Sequence, residues 1–130
     1  MGLDITIFGI GKTFQDEKNR DTWNITVLKR LNNFHKMNEI LIWKYPNYDN
    51  CTTIDISIEE LKDILQELKE NKQEIVNGDM PKRDNESEEQ YNSRINHDLM
   101  NYNAEINGLE EFLNSDDILD FEDLQIRGWW

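Results

Sequence analysis

Two long helical patterns in the second half of the chain constrain the fold more than any other feature. Each begins with a capping box, in which a serine and the Glu or Gln three residues later close the first helical turn: Ser57 with Glu60, and Ser87 with Gln90. Apolar residues then recur every three or four positions, at Ile58, Leu61, Ile64, Leu65, Leu68 and Ile75, and at Tyr91, Ile95, Leu99, Tyr102, Ile106, Leu109 and Leu113. The sequence therefore predicts two amphipathic helices, the first closed by Asn77-Gly78.

Alternating residues at both ends of the chain predict strands. Leu3, Ile5 and Ile7 alternate with other residues before Gly9 and Gly11, which we expect to end the first strand. Residues 53–56 alternate briefly, and the aromatic and β-branched residues of 121–130 predict a final strand paired with the first. We expect an α+β fold in one domain, residues 1–130, with a small antiparallel sheet that includes the N- and C-terminal strands and packs against about three helices.

The third helix is predicted between these regions. Trp23, Val27, Leu31 and Phe34 recur at helical spacing after Asp21 or Thr22, either of which can act as the N-cap. The apolar run at residues 40–43 either extends this helix or forms a strand, and Pro46 ends it.

The negative charge lies in one half of the chain. Residues 1–56 contain seven acidic and seven basic residues, whereas residues 57–130 contain twenty acidic and seven basic ones, for a net charge of −13. This distribution argues against direct nucleic-acid binding, which depends on phosphate neutralisation. It favours either an acidic surface for a basic partner or a face that keeps the protein soluble.

The cysteine content and hydropathy suggest a cellular location. Cys51 is the single cysteine, and no apolar run reaches the roughly 20 residues of a membrane helix. We therefore expect a cytoplasmic protein without a membrane partner.

The sequence Gly9-Ile10-Gly11-Lys12-Thr13 resembles the end of a phosphate-binding loop. A complete loop needs a further glycine at the position of Thr6, and the polar stretch after Thr13 has no helical periodicity. We expect no nucleotide enzyme on this basis.

No catalytic set or metal site is predicted. His35 and Glu39 share a helical face, but two ligands do not make a metal site, and Cys51 lies among turn residues without a helical base nearby. We predict no enzyme and no cofactor; a weaker alternative uses His35 with a carboxylate as an acid/base pair.

One cationic cluster stands out against the acidic background. Lys29, Arg30, Asn32 and His35, with Arg127 and Trp130, could hold a small anion through charge and stacking. The alternative is a mixed-charge face that pairs with the acidic helices.

The chain ends resemble a family of small phage and prophage proteins. Members open with Met-Gly-Leu-Asp, as residues 1–4 do, end in an aromatic-Ser-Ser-Trp segment, and carry Trp-Arg-Lys-Ala-Asn-x-Ile-His in their first helix. Here residues 28–35 retain the basic pair, Asn32 and His35, while Leu28 replaces the family Trp. The C-terminus keeps Trp130 but lacks both serines. The Cys51 turn and the helix beginning at Ser57 are also similar. The resemblance implies a phage-encoded cytoplasmic α+β protein and no established reaction.

Two functions follow as expectations. The first is a non-enzymatic phage protein that inhibits a host process, with antiviral defence such as CRISPR as the leading candidate, by presenting an acidic, nucleic-acid-mimicking surface to a basic host protein. We assign that surface to Glu110, Glu111, Asp116, Asp117 and Asp120. The alternative is a binder that sequesters a small anionic nucleotide at the cationic cluster. A homodimer through the C-terminal aromatics is a further option.

Overall fold

The structure is a computed structural model that describes residues 3–12, 23–116, 118, 121 and 123–130. Four strands and three α-helices follow one another as β1 (Asp4–Lys12), β2 (Trp23–Asn32), α1 (His35–Lys44), β3 (Thr53–Ile56), α2 (Ile58–Val76), α3 (Glu88–Leu113) and β4 (Asp123–Trp129). The predicted α+β class is therefore confirmed.

The strands form one antiparallel sheet in the order β2-β1-β4-β3. The predicted pairing of the first and last strands is confirmed, since Asp4 lies opposite Trp129 and Ile10 lies opposite Asp123. Both strands occupy the middle of the sheet. Neither forms an edge, and β3 pairs with β4 alone among the described strands.

Side-chain alternation assigns one face of the sheet to the core. Leu3, Ile5 and Ile7 are at most 1% exposed and belong to one apolar cluster with residues of all three helices. Asp4, Thr6 and Phe8 alternate with them and therefore lie on the opposite face, which we call the outer face. The helices thus form a layer over the inner face of the sheet.

The segment from Trp23 to Asn32 is a strand, so its predicted helix is wrong. β2 contains a bulge, because Ile7 lies opposite Lys29 while Phe8 lies opposite Val27. One extra residue at that point shifts the alternation of inward and outward side chains. The altered spacing imitates a helical repeat, although the β-branched run Ile25-Thr26-Val27 favours a strand.

The first strand also continues further than predicted. Gly9 and Gly11 lie inside β1, which ends at Lys12 opposite Trp23. A Cβ at Gly9 would lie 2.5 Å from the Phe121 ring, so this glycine lets Phe121 pack on the strand. The residues that resembled a phosphate-binding loop are extended backbone up to Lys12; Thr13, like the predicted N-caps Asp21 and Thr22, lies outside the described residues.

The helix ends follow the local sequence in α2 and α3 but not in α1. Both capping boxes are present, with Ser57 accepting from the Glu60 amide and Ser87 accepting from the Gln90 amide. Gly78, at φ 81°, follows α2 as predicted. The N-cap of α1 is Phe34, whose side chain makes no capping hydrogen bond.

Candidate functional site

A carboxylate from α3 supplies the missing cap of α1. Glu105 accepts hydrogen bonds from the backbone amides of Met37 (2.8 Å) and Lys36 (3.2 Å). It is 2% exposed, and burial raises its pKa to about 7 despite those two amides and the Lys36 charge. A carboxylate at a helix N-terminus satisfies free N–H groups and the helix dipole. Glu105 therefore has a structural role that fixes α1 against α3.

Two other groups with strongly shifted pKa values, Tyr48 and Glu86, also have structural partners. The buried Tyr48 hydroxyl donates to Asn38 Oδ1 at 2.6 Å, and burial raises its pKa. Glu86 binds Arg94 through both carboxylate oxygens, at 2.9 and 3.0 Å, and these hydrogen bonds lower the pKa of Glu86 to about 2. Arg94 also donates to the Pro81 carbonyl, so this pair ties the loop after α2 to the first turns of α3.

The outer face of the sheet contains a hollow of about 330 Å³. We call it the sheet hollow; it is lined by Asp4, Thr6 and Phe8 of β1, Val27, Arg30 and Asn32 of β2, and Trp129 of β4. Val27 is 45% exposed and the neighbouring Ile25 is 64% exposed, so apolar groups on this face reach solvent.

Two arginines flank the floor of the sheet hollow. Thr6 lies opposite Arg30 on one side and opposite Arg127 on the other, and it is 3% exposed. The Arg127 guanidinium carbon is 5.0 Å from the centre of the Trp129 ring, a cation–π distance. The Arg127 Nε is buried without a hydrogen-bond partner, which is uncommon for a buried polar atom.

The sheet brings together three of the six residues predicted to bind an anion. Arg30 and Asn32 line the sheet hollow, and Arg127 lies beside it. The other three are placed differently. Lys29 is the strand neighbour of Arg30 and so lies on the opposite face of β2. His35 is exposed at the start of α1. The Trp130 ring packs against Tyr48 at a tilt of 36°, with ring centres 5.6 Å apart.

An acidic groove runs along α2 beside the end of α1. Its volume is about 380 Å³, and it is lined by Lys44, Asp63, Gln66, Glu67, Glu70, Asn71 and Glu74. The single cation, Lys44, contacts Glu67 at 3.0 Å. Four carboxylates therefore face one lysine in this groove. This groove was not predicted from the sequence, although the spacing of residues 63, 67, 70 and 74 places all four acids on one helix face.

An exposed tryptophan precedes the groove-lining lysine. Trp43 is 88% exposed, and its neighbour Ile42 is 50% exposed. Exposed tryptophans are frequent anchors of protein interfaces. The sequence showed this apolar run, but it could not show that the last turn of α1 directs these two side chains outward.

Glu110, one of the C-terminal acidic residues, lies on the other side of α2 from the acidic groove. Lys69, which is about 200° from Glu67 around the helix, contacts Glu110 at 2.7 Å. Glu111 and Asp116 are exposed. Asp117 and Asp120 lie outside the described residues, so the structure places three of the five residues predicted for partner binding.

Comparison with known proteins adds no relative: no family model, curated protein or solved structure matches this chain. None of the helices within the described residues is both long enough and apolar enough to cross a membrane. In the same part of the chain, no three His, Cys, Asp or Glu side chains are grouped to hold a metal ion.

Proposed function

We propose that this protein is a non-enzymatic binding protein that uses the acidic groove and Trp43 to engage and inhibit a protein with a basic surface. The observation that carries the proposal is the combination of four groove carboxylates with Trp43, which is 88% exposed and precedes the groove residue Lys44 in the chain. Charge complementarity speeds association and selects the partner, while a buried aromatic anchor supplies affinity.

The charge of the helical layer supports an electrostatic role. Helices α2 and α3 carry twelve acidic and four basic residues. Of the twelve acids, Glu105 is buried as the cap of α1, so its charge is unavailable to a partner. The remaining acids produce a negative potential on the helical side, which attracts a basic surface and lowers affinity for phosphates.

The resemblance to phage proteins supplies the biological setting of this proposal. In this proposal the acidic groove occupies a basic channel in which a host factor binds nucleic acid, and so blocks that factor. We propose an antiviral defence protein in the cytoplasm of an infected bacterium as the target.

Two matched triple variants test which acidic surface acts. The groove variant carries Glu67→Gln, Glu70→Gln and Glu74→Gln. The C-terminal variant carries Glu110→Gln, Glu111→Gln and Asp116→Asn. Each removes three negative charges, so a difference between them reflects position and not net charge.

The assay is phage plating on a bacterial host with a defined defence system, with and without this protein, followed by pull-down of the defence components. We expect the unmodified protein and the C-terminal variant to restore plating and retain a basic component, and the groove variant to lose both effects. Equal effects of the two variants would contradict the groove as the binding surface. Undiminished binding by both would contradict the electrostatic proposal.

A further inference from the structure

We propose that the sheet hollow binds a nucleoside monophosphate whose base carries an exocyclic amine. This site lies on the face of the sheet opposite the helices, so the inference is independent of the acidic groove. It rests on the side chains that the register of β1, β2 and β4 places around Thr6.

The phosphate end of the site is formed by Arg30, Thr6 and Arg127. Adjacent strands lie about 4.8 Å apart, so the two arginines start about 10 Å from each other with the threonine between them. A phosphate above Thr6 is within reach of both guanidiniums, which bind phosphate oxygens in a bidentate manner.

Trp129 holds Arg127 in place for this contact. The guanidinium lies over the indole ring at 5.0 Å, and this restricts a side chain that otherwise has many rotamers. A restricted arginine loses less conformational entropy when the ligand binds. In a chain with a net charge of −13, two arginines on either side of one threonine form a locally favourable site for an anion.

The base end of the site is formed by Asp4, Asn32 and Trp129. Asp4 lies opposite Asn32 on one side and opposite Trp129 on the other, one pleat away from Thr6. Two residues of strand span about 7 Å, which leaves room for a sugar between the phosphate and the base. The Asp4 carboxylate repels the phosphate and accepts a hydrogen bond from an amine, so it fixes the orientation of the ligand.

The volume of the sheet hollow suits a mononucleotide. The hollow of about 330 Å³ is at the lower end of the range for small-ligand sites, about 300–1,000 Å³. Phe8 and Val27 close the end beyond Thr6 with apolar side chains.

Isothermal titration calorimetry of the full chain tests this inference with five probes: AMP, UMP, adenosine, inorganic phosphate and a short oligoadenylate. We expect AMP to bind at least tenfold more tightly than adenosine or phosphate, because only AMP occupies both ends. UMP lacks the exocyclic amine and should bind more weakly than AMP. Oligoadenylate that binds tenfold more tightly than AMP would overturn the mononucleotide site in favour of a single-strand surface.

Variants then assign the two ends. Arg30→Gln, at an exposed position, should weaken AMP binding at least fivefold, whereas the matched control Arg83→Gln, in the exposed loop after α2, should leave it unchanged. Asp4→Asn should reduce the difference between the affinities for AMP and UMP. Thermal melts of each variant verify folding.

Two results would overturn the proposal: no AMP binding at millimolar concentration, or equal AMP binding by the unmodified protein and Arg30→Gln. The groove variant described above should bind AMP normally, so failure of one proposal is distinguishable from failure of the other.

Discussion

Replacement of Glu105 by glutamine should make the protein less sensitive to pH. The buried Glu105 carboxyl group has a pKa of about 7 in the native chain, compared with 4.5 in the unfolded chain. The folded state therefore binds more protons than the unfolded state across this interval. The contribution of Glu105 to stability is greatest below about pH 4.5 and is lost as pH rises through about 7, because folding then retains an ionised, desolvated carboxylate. Glutamine has no such titration.

The size of the effect follows from the two pKa values. Each unit of difference corresponds to about 1.4 kcal/mol, so the complete titration amounts to about 3 to 4 kcal/mol. The chain has an isoelectric point near 4.4, where low net charge reduces solubility. Between about pH 5.5 and about pH 8.5, the native protein should lose about 2 kcal/mol more of its unfolding free energy than Glu105→Gln.

Urea unfolding followed by tryptophan fluorescence measures this difference. The glutamine carbonyl can still accept from the Met37 amide, and the weakened contact to the Lys36 amide gives an offset that does not vary with pH. Glu111→Gln, at an exposed position on the same helix, controls for the loss of one charge. The two proteins are compared by the difference between their unfolding free energies at each pH. If this difference stayed constant within about 0.5 kcal/mol, or if Glu105→Gln lost more stability than the native protein as pH rose, the reasoning would be refuted.

Three further substitutions test packing and binding. Gly108→Ala should destabilise the protein by about 1–2 kcal/mol in chemical unfolding, because the new Cβ would lie 2.6 Å from Phe34 Cζ. This overpacking exceeds the gain in helix propensity. Adding Phe34→Leu, which introduces a smaller side chain, should recover part of the lost stability. Tyr48→Phe should cost about 1–3 kcal/mol by leaving buried Asn38 without its hydroxyl donor, and an unchanged melting temperature would contradict this. Trp43→Ala should leave the melting temperature within about 2 °C and abolish partner capture, since the side chain is 88% exposed.

Local sequence signals predicted the elements whose stabilising contacts are also local. The capping boxes at Ser57 and Ser87 involve residues only three positions apart, so the starts of α2 and α3 could be predicted from the sequence. The first and last strands were also recognisable, because their inward residues alternate without interruption. In β2 the bulge displaces Arg30 and Asn32 by one position relative to Ile25 and Val27, which conceals the two-residue period.

The candidate sites depended more on tertiary structure. Arg30 and Arg127 are 97 positions apart in the chain, and only the register with Thr6 brings them together. The cap that Glu105 provides for α1 spans 68 residues and has no counterpart in local sequence. By contrast, the acidic groove could have been predicted from the sequence, since its four acidic residues lie on one face of a single helix.

The order of the strands has a consequence for synthesis of the chain. β3 pairs only with β4 among the described strands, and β1 is flanked by β4 on one side, yet β4 emerges from the ribosome after the other three. A nascent chain can therefore form the β1–β2 hairpin, but β3 has no sheet partner and one side of β1 remains open until residues 123–129 appear. Such exposed strand edges invite intermolecular pairing. Pausing of translation between α3 and β4 should consequently promote aggregation of this protein more than pausing before α2.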